Sequence, residues 1–330
     1  MRTRLVVALI TALLVSLLPA APAVAAPDNP WLAQRVMNMA HAGGENEAPM
    51  NTMYAFKRAV ALGADMIELD VQSTADEQLV VIHNAAVDET TNGTGRIVDM
   101  TLDQVRELDA AYWFVPGRSA VHGLPDSSYP LRGIRTGEQR PPAGYKRTDF
   151  AIPTLREVLR QFPDVPINIE IKGTSDTDLA SFQRTGRLLS KLLNKSGRTD
   201  VIVASFNDAA LVTFHQQSPQ IGLSPGMGGL IAYFLLGIRP IDGTVALQVP
   251  VNYQGIPVVT SDFVARAHRD GYAVHVWFSG SAPDDEATYN AMIDTCADGL
   301  MPAFPTLLER ILDERGIERP GQPGVHPCAS

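Results

Sequence analysis

Ile67-Glu68-Leu69-Asp70-Val71 and Ile167-Asn168-Ile169-Glu170-Ile171-Lys172 decide how this chain folds. Side chains alternate across a strand, so Glu68 and Asp70 share one face of the first segment while Ile67, Leu69 and Val71 share the other. The second segment repeats the pattern, with its isoleucines on one face and Asn168, Glu170 and Lys172 on the other. A solvent-facing edge strand would explain either segment alone, but explains the pair poorly. In a parallel barrel the outer strand face packs on helices and must be apolar. The acidic faces therefore point into the barrel mouth. Neighbouring carboxylates there lose hydration and repel one another unless a cation compensates.

Outward from these segments, short apolar runs alternate with amphipathic stretches, the rhythm of βα units. Strands are predicted at 35–41, 65–71, 79–83, 167–171, 201–205, 220–223, 245–249 and 273–277, with a short ninth candidate at 298–301. Helical periodicity covers 52–62, 102–108, 155–162, 179–193, 209–216, 261–270, 287–295 and 305–315. Eight strands with intervening helices predict an α/β fold, a single-domain (β/α)₈ TIM-type barrel. A doubly wound open sheet is the alternative. No glycine-rich phosphate turn follows any strand, which counts against a dinucleotide fold.

Two stretches break the rhythm. Residues from about 112 to 149, rich in Gly, Pro, Tyr and Arg, form a long insertion between the third and fourth predicted strands. Such insertions belong at the functional face or act as lids. Residues 226–238 contain Leu230-Ile231-Ala232-Tyr233-Phe234-Leu235-Leu236, too short a run to span a bilayer. This run reads either as a buried helix or as an apolar loop that receives acyl chains or touches a membrane.

The basic Arg2 and Arg4, the apolar run 5–18 and the small-residue triplet Ala23-Val24-Ala25 predict a cleaved signal peptide over 1–25. The expected mature protein, 26–330, is secreted. The formal net charge of −9 becomes −11 once the two leader arginines are gone, leaving 25 basic against 36 acidic side chains. Such a surface repels nucleic acid and anionic membranes, so no nucleic-acid partner is expected. A phosphate substrate must be held by local charge or by a metal. Cys296 and Cys328, the only cysteines, either pair or stand as separate thiols, and they are too few for a zinc framework.

His41 and His83 end two predicted strands, where barrel active sites are built. Glu68, Asp70 and Glu170 offer hard oxygen ligands, which suit one divalent cation, Mg²⁺ or Ca²⁺, better than zinc. Histidines that titrate near neutrality suit general acid and base roles. The constellation predicts metal-assisted phosphoryl chemistry. His275 shares a strand face with Trp277 and reads as an inner structural residue or a substrate contact.

The motifs occur in a telling order. His41-Ala42-Gly43-Gly44, Pro49-Met50-Asn51-Thr52 and Ala55-Phe56 come first, then Glu68-Leu69-Asp70-Val71, Val80-Val81-Ile82-His83 and Thr91-Asn92-Gly93-Thr94-Gly95. Ile169-Glu170-Ile171-Lys172, Ser205-Phe206 and 274–277 follow. Over about 35–315 this set resembles the glycerophosphodiester phosphodiesterase family. The resemblance implies a TIM-type barrel that hydrolyses a phosphodiester to an alcohol and a phosphomonoester, in many relatives through a cyclic phosphate. It implies metal binding by Glu68, Asp70 and Glu170, acid–base catalysis by His41 and His83, a phosphate contact from Lys172 and a substrate-side Trp277. The implied partner is a small-molecule phosphodiester or lipid head group, with transient membrane-surface contact and no protein partner.

Three positions depart from the family pattern: Ala42 for Arg, Met50 for Glu and Asn84 for Asp. Loss of the Arg removes a bidentate phosphate contact, roughly 2–4 kcal/mol by analogy with lost transition-state donors. Glu45 and Glu47 are candidates to restore acidity, and Arg132 or Arg135 to restore positive charge. Alternative functions are a phospholipase D-like activity on lysophospholipid or sphingomyelin, and a catalytically silent phosphodiester-binding barrel.

Overall fold

A computed structural model describes residues 29–33, 36–319, 324, 325 and 328. The leader predicted at 1–25 lies outside the described residues. The strands of the main sheet are β1 Met37–Ala40, β2 Met66–Ser73, β3 Leu79–Val81, β4 Ile167–Ile171, β5 Val201–Ala204, β6 Gly222–Leu223, β7 Ala246–Pro250, β8 Ala273–Trp277 and β9 Gly299–Met301. The helices are α1 Met53–Ala61, α2 Leu102–Arg106, α3 Leu155–Gln161, α4 Leu179–Ser196, α5 Asp208–Gln217, α6 Met227–Leu236, α7 Ser261–Arg269, α8 Glu286–Asp294 and α9 Pro305–Glu314. Most start at a side chain that accepts an orphan N–H. Thr52, Thr154, Asn207, Thr260 and Asp285 all act this way, and Glu157 completes a capping box with Thr154.

Eight strands run in the order β6-β5-β4-β2-β1-β9-β8-β7, each parallel to its neighbour. A parallel bridge between Leu223 and Thr244, with the Val245 N–H donating to Leu223 O at 2.9 Å, joins the two ends. The result is the expected (β/α)₈ barrel. The strand count is the predicted eight, but one member differs. The run at 79–83 is no barrel strand: β3 pairs antiparallel with β2, Val71 opposite Val81 and Ser73 opposite Leu79. Residues 74–78 form a hairpin connection, too short for a parallel crossover, which takes a dozen residues or more. The ninth candidate, β9, fills the vacant place beside β1. The insertion at 112–149 thus follows the β2–β3 hairpin, between the second and third barrel strands.

The outer strand faces are apolar, as the alternation requires. Ile67, Leu69, Ile167, Ile169 and Ile171 pack with Phe56, Leu155, Phe182, Leu189 and Phe214 on one side of the barrel. Leu247, Val249, Val274, Val276 and Leu300 pack with Phe263, Tyr289, Ile293 and Leu312 on the other. Inside, Met37, Met39, Met66, Ile202, Ala246 and Ala273 cluster with Trp31. Asn29 anchors the segment that carries Trp31, donating to Val245 O (2.7 Å) and Gly271 O (2.9 Å). These contacts close the lower end and leave the mouth open. Cys296 and Cys328 are disulfide-bonded, which ties the tail to the α8–β9 turn.

Residues 226–238 contain a helix, α6, but not a buried one. Of its side chains only Tyr233 is buried, while Leu235 and Leu236 are exposed.

Candidate active site

Register fixes the acidic cluster. Parallel pairing sets Glu68 beside Asn168 and Asp70 beside Glu170, all facing inward. One carboxylate oxygen from each of Glu68, Asp70 and Glu170 lies within 4.8 Å of the other two. Glu68 accepts the backbone N–H of Ala42 at 2.7 Å. Asp70 accepts from Asn51 Nδ2 at 2.8 Å, and the Asn51 side chain in turn accepts the Asp70 N–H at 3.2 Å. Lys172 Nζ reaches Glu170 at 2.7 Å and Asp70 at 3.3 Å. Below them, Gln248 Nε2 donates to Asn168 Oδ1 at 2.7 Å across the barrel.

The charges here are unbalanced. Burial, with repulsion from Asp70 and Glu170, pushes the Glu68 carboxyl up to about 8 despite His41 nearby. Burial likewise raises Glu170 against the pull of Lys172. Asp70 alone is lowered: Lys172, His83 and the Asn51 hydrogen bond outweigh its burial. An all-oxygen donor set that cannot hold its full negative charge fits a hard divalent cation.

Both predicted histidines line the same cavity, of about 370 Å³. His41 Nδ1 lies 3.0 Å from Glu45 Oε1. Burial alone would lower its pKa, but Glu45, Glu68 and Asp70 outweigh burial and raise it to about 10. His83 Nδ1 bonds to Asn84 Oδ1, and Asn84 Nδ2 donates to Glu89. That amide orientation makes His83 Nδ1 the donor, so in both histidines Nε2 is left for a ligand. Asn84 thus holds its histidine as an Asp would, with Glu89 behind it. Trp277, Lys172 and Phe206 also line the cavity, and Trp277 Nε1 donates to Gln248 O at 3.4 Å.

Ala42 touches the cluster through its backbone alone, at φ 46°, ψ 26°. This left-handed turn, continued by Gly43 (φ 84°), aims the Ala42 N–H at Glu68. Arg132 and Arg135 do not replace the missing Arg. Arg132 stacks over Tyr112, Trp113 and Tyr129 and pairs with Asp126, while Arg135 bonds to Arg106 O. Neither lines the cavity. Of the two acidic candidates, Glu45 belongs to the site. Glu47 instead bonds Arg58 and Thr306. Sequence reasoning gave Asn51 no role and left Glu45 and Asn84 without their histidines. Spacing held the one local signal, since Glu45 lies four residues after His41.

A parallel barrel thus carries an all-oxygen donor set and two side-chain-anchored histidines in one cavity. The family model for the glycerophosphoryl diester phosphodiesterase family matches residues 41–305, and the chain belongs to that family. The glycerophosphodiester phosphodiesterase of Caldanaerobacter subterraneus subsp. tengcongensis is 36% identical over 287 residues, 86% of this chain and 100% of that protein. Bacillus subtilis YhdW is 35% identical over 56% of this chain and 62% of its own length, so the chain spans under two thirds of that relative. Among solved structures, an Oleispira antarctica phosphodiesterase in complex with the product sn-glycerol-3-phosphate aligns with a TM-score of 0.62. It shares 20% identity and covers 84% of this chain and 97% of its own.

Proposed function

We propose that the protein hydrolyses a glycerophosphodiester to an alcohol and glycerol phosphate, with one divalent cation, Mg²⁺ or Ca²⁺, as cofactor. The observation that carries this reading is the placement of three crowded carboxylates and two side-chain-anchored histidines in one cavity. Glu68, Asp70 and Glu170 would hold the cation, which supplies charge stabilisation at the phosphoryl oxygens. Lys172 offers a second positive charge for a phosphate oxygen, and Trp277 walls the substrate side. His41, whose Nδ1 is held by Glu45, donates a proton to the departing alcohol. His83, with Nδ1 committed to Asn84, receives at Nε2 the proton of the attacking hydroxyl, whether from water or from the substrate itself.

Leaving-group chemistry separates the two histidine roles. Each of His41→Ala and His83→Ala should lower kcat on glycerophosphocholine by about 10²–10⁴. A glycerophosphodiester of p-nitrophenol needs no proton at its leaving oxygen, so it should restore turnover in the His41 variant only. Equal rescue of both variants, or of neither, contradicts the assignment.

Export through a signal peptide at 1–25, with a single mature domain at 26–330, completes the proposal. The Cys296–Cys328 bond supports it, since disulfides persist in oxidising compartments. The N-terminus of protein recovered from the culture medium, read by mass spectrometry, should fall just after the 23–25 triplet. An intact Met1 in that fraction contradicts cleavage.

A further inference from the structure

The cavity that holds the histidines does not end at the acidic cluster. The same cavity continues along Leu230, Ile231, Phe234 and Leu235 of α6, and along Ile256 in the short hairpin of Asn252–Tyr253 and Ile256–Pro257. Phe206 stands between the two regions, its ring centroid 5.6 Å from Lys172 Nζ and 6.1 Å from the Trp277 ring. A helix that is apolar all round is normally buried. α6 is not: Ile231 is 39% exposed and Leu235 66%, and across the groove Ile256 is 53% exposed.

The helix is held in this position. Asp208, at the start of α5, accepts the N–H groups of Gly226 (3.0 Å), Gly228 (2.9 Å) and Gly229 (3.3 Å). On the opposite face Tyr233 is buried against Phe263 and donates to Asp270 at 2.7 Å. What these anchors leave open is an apolar trough running directly from the phosphoryl site.

Resting on the phosphodiesterase reading, we propose that the trough binds one alkyl or acyl chain of the substrate, so that single-chain lysophospholipids are the preferred diesters. A deacylated diester would leave the trough filled with water. A chain entering it shares a continuous cavity with the reacting phosphorus, and each buried methylene strengthens binding about fourfold. In the reaction, a water oxygen forms the new bond to phosphorus and the P–O bond to the head-group alcohol breaks. The alcohol leaves with a proton, and the acylglycerol phosphate keeps its chain in the trough.

The test compares kcat/KM for glycerophosphocholine, monomeric 1-octanoyl lysophosphatidylcholine and 1-palmitoyl lysophosphatidylcholine in vesicles, using the full chain with Mg²⁺ or Ca²⁺. Wild-type protein should prefer monomeric octanoyl substrate over the deacylated diester by about tenfold or more. The double variant Ile231→Ser, Leu235→Ser should lose most of that preference and keep its rate on glycerophosphocholine. Three outcomes overturn the proposal. Turnover of glycerophosphocholine with no preference for the chain removes the trough assignment and leaves the phosphodiesterase reading standing. A variant defect confined to vesicles makes the apolar face a membrane contact instead. No turnover of any of the three substrates overturns both readings.

Discussion

His275 lies fully buried inside the barrel, and neither of its ring nitrogens has a hydrogen-bond partner among the described residues. Burial, opposed only weakly by Asp298, lowers its pKa to about 4. It is therefore neutral in the fold, an inner-layer residue rather than a member of the acidic site. The folded pKa lies below the unfolded one, so the unfolded chain binds the extra proton. Stability is full above about pH 6.5 and is lost as pH falls toward 4, by up to about 3 kcal/mol for this one group. Denaturant melts at pH 7 and pH 5 check this: His275→Met should flatten the drop between them, and an unchanged drop contradicts the argument. Glu45 gives a second prediction at this scale. Glu45→Gln keeps an acceptor for His41 Nδ1 but removes the charge that raises its pKa. The basic limb of the kcat/KM profile should move to lower pH, and kcat should fall about tenfold. A basic limb that stays in place would falsify the role given to Glu45.

The turn after β1 shows how tightly an element can constrain a site. A Cβ on Gly43 would lie 2.7 Å from Ala55 Cβ and 2.9 Å from Phe56 Cδ1, in a left-handed backbone. Gly43→Ala must push the Ala42 N–H away from Glu68, so it should destabilise the fold by roughly 1–3 kcal/mol and reduce turnover. A variant with wild-type melting and rate contradicts that view of the turn. Elements also mark where the sequence was readable. β2 and β4 were legible because strict alternation leaves the carboxylates no place except the barrel interior. β3 misled because an apolar run looks the same in a hairpin as in a barrel strand. The short connection at 74–78 carried the correction, since it cannot house a crossover helix. The exposure of α6 was not legible, because an apolar helix pattern does not say which neighbours are missing. Asp208 holds its amino end from eighteen and twenty residues away in sequence.

For the whole molecule, the barrel brings together carboxylates that oppose its stability. Glu68, Asp70 and Glu170 come from strands a hundred residues apart, and burial raises the first and last of them. A cation that binds the folded state alone should stabilise it by about 2.7 kcal/mol at a hundredfold excess over its Kd. Glu68→Gln should raise the melting temperature of chelator-treated protein and abolish turnover. A variant that melts lower than wild type after chelation contradicts the charge argument. The carboxylates and His41 could be read from the sequence because their barrel strands follow local pattern, whereas His83 reaches the cavity from the end of a hairpin strand that the sequence presented as a barrel strand. Glu45, Asn51 and Asn84 could not be given roles, because their partners are set by loop geometry that only the closed barrel defines.

The most direct measurement is release of choline from glycerophosphocholine by the full chain, after chelation and after return of Mg²⁺ or Ca²⁺. The account predicts no turnover in chelator and recovery with one of the two cations, lost again in Glu170→Gln. Undiminished turnover in chelator, or a Glu170→Gln variant as active as wild type, would contradict the assignment of the acidic cluster as the centre of the chemistry.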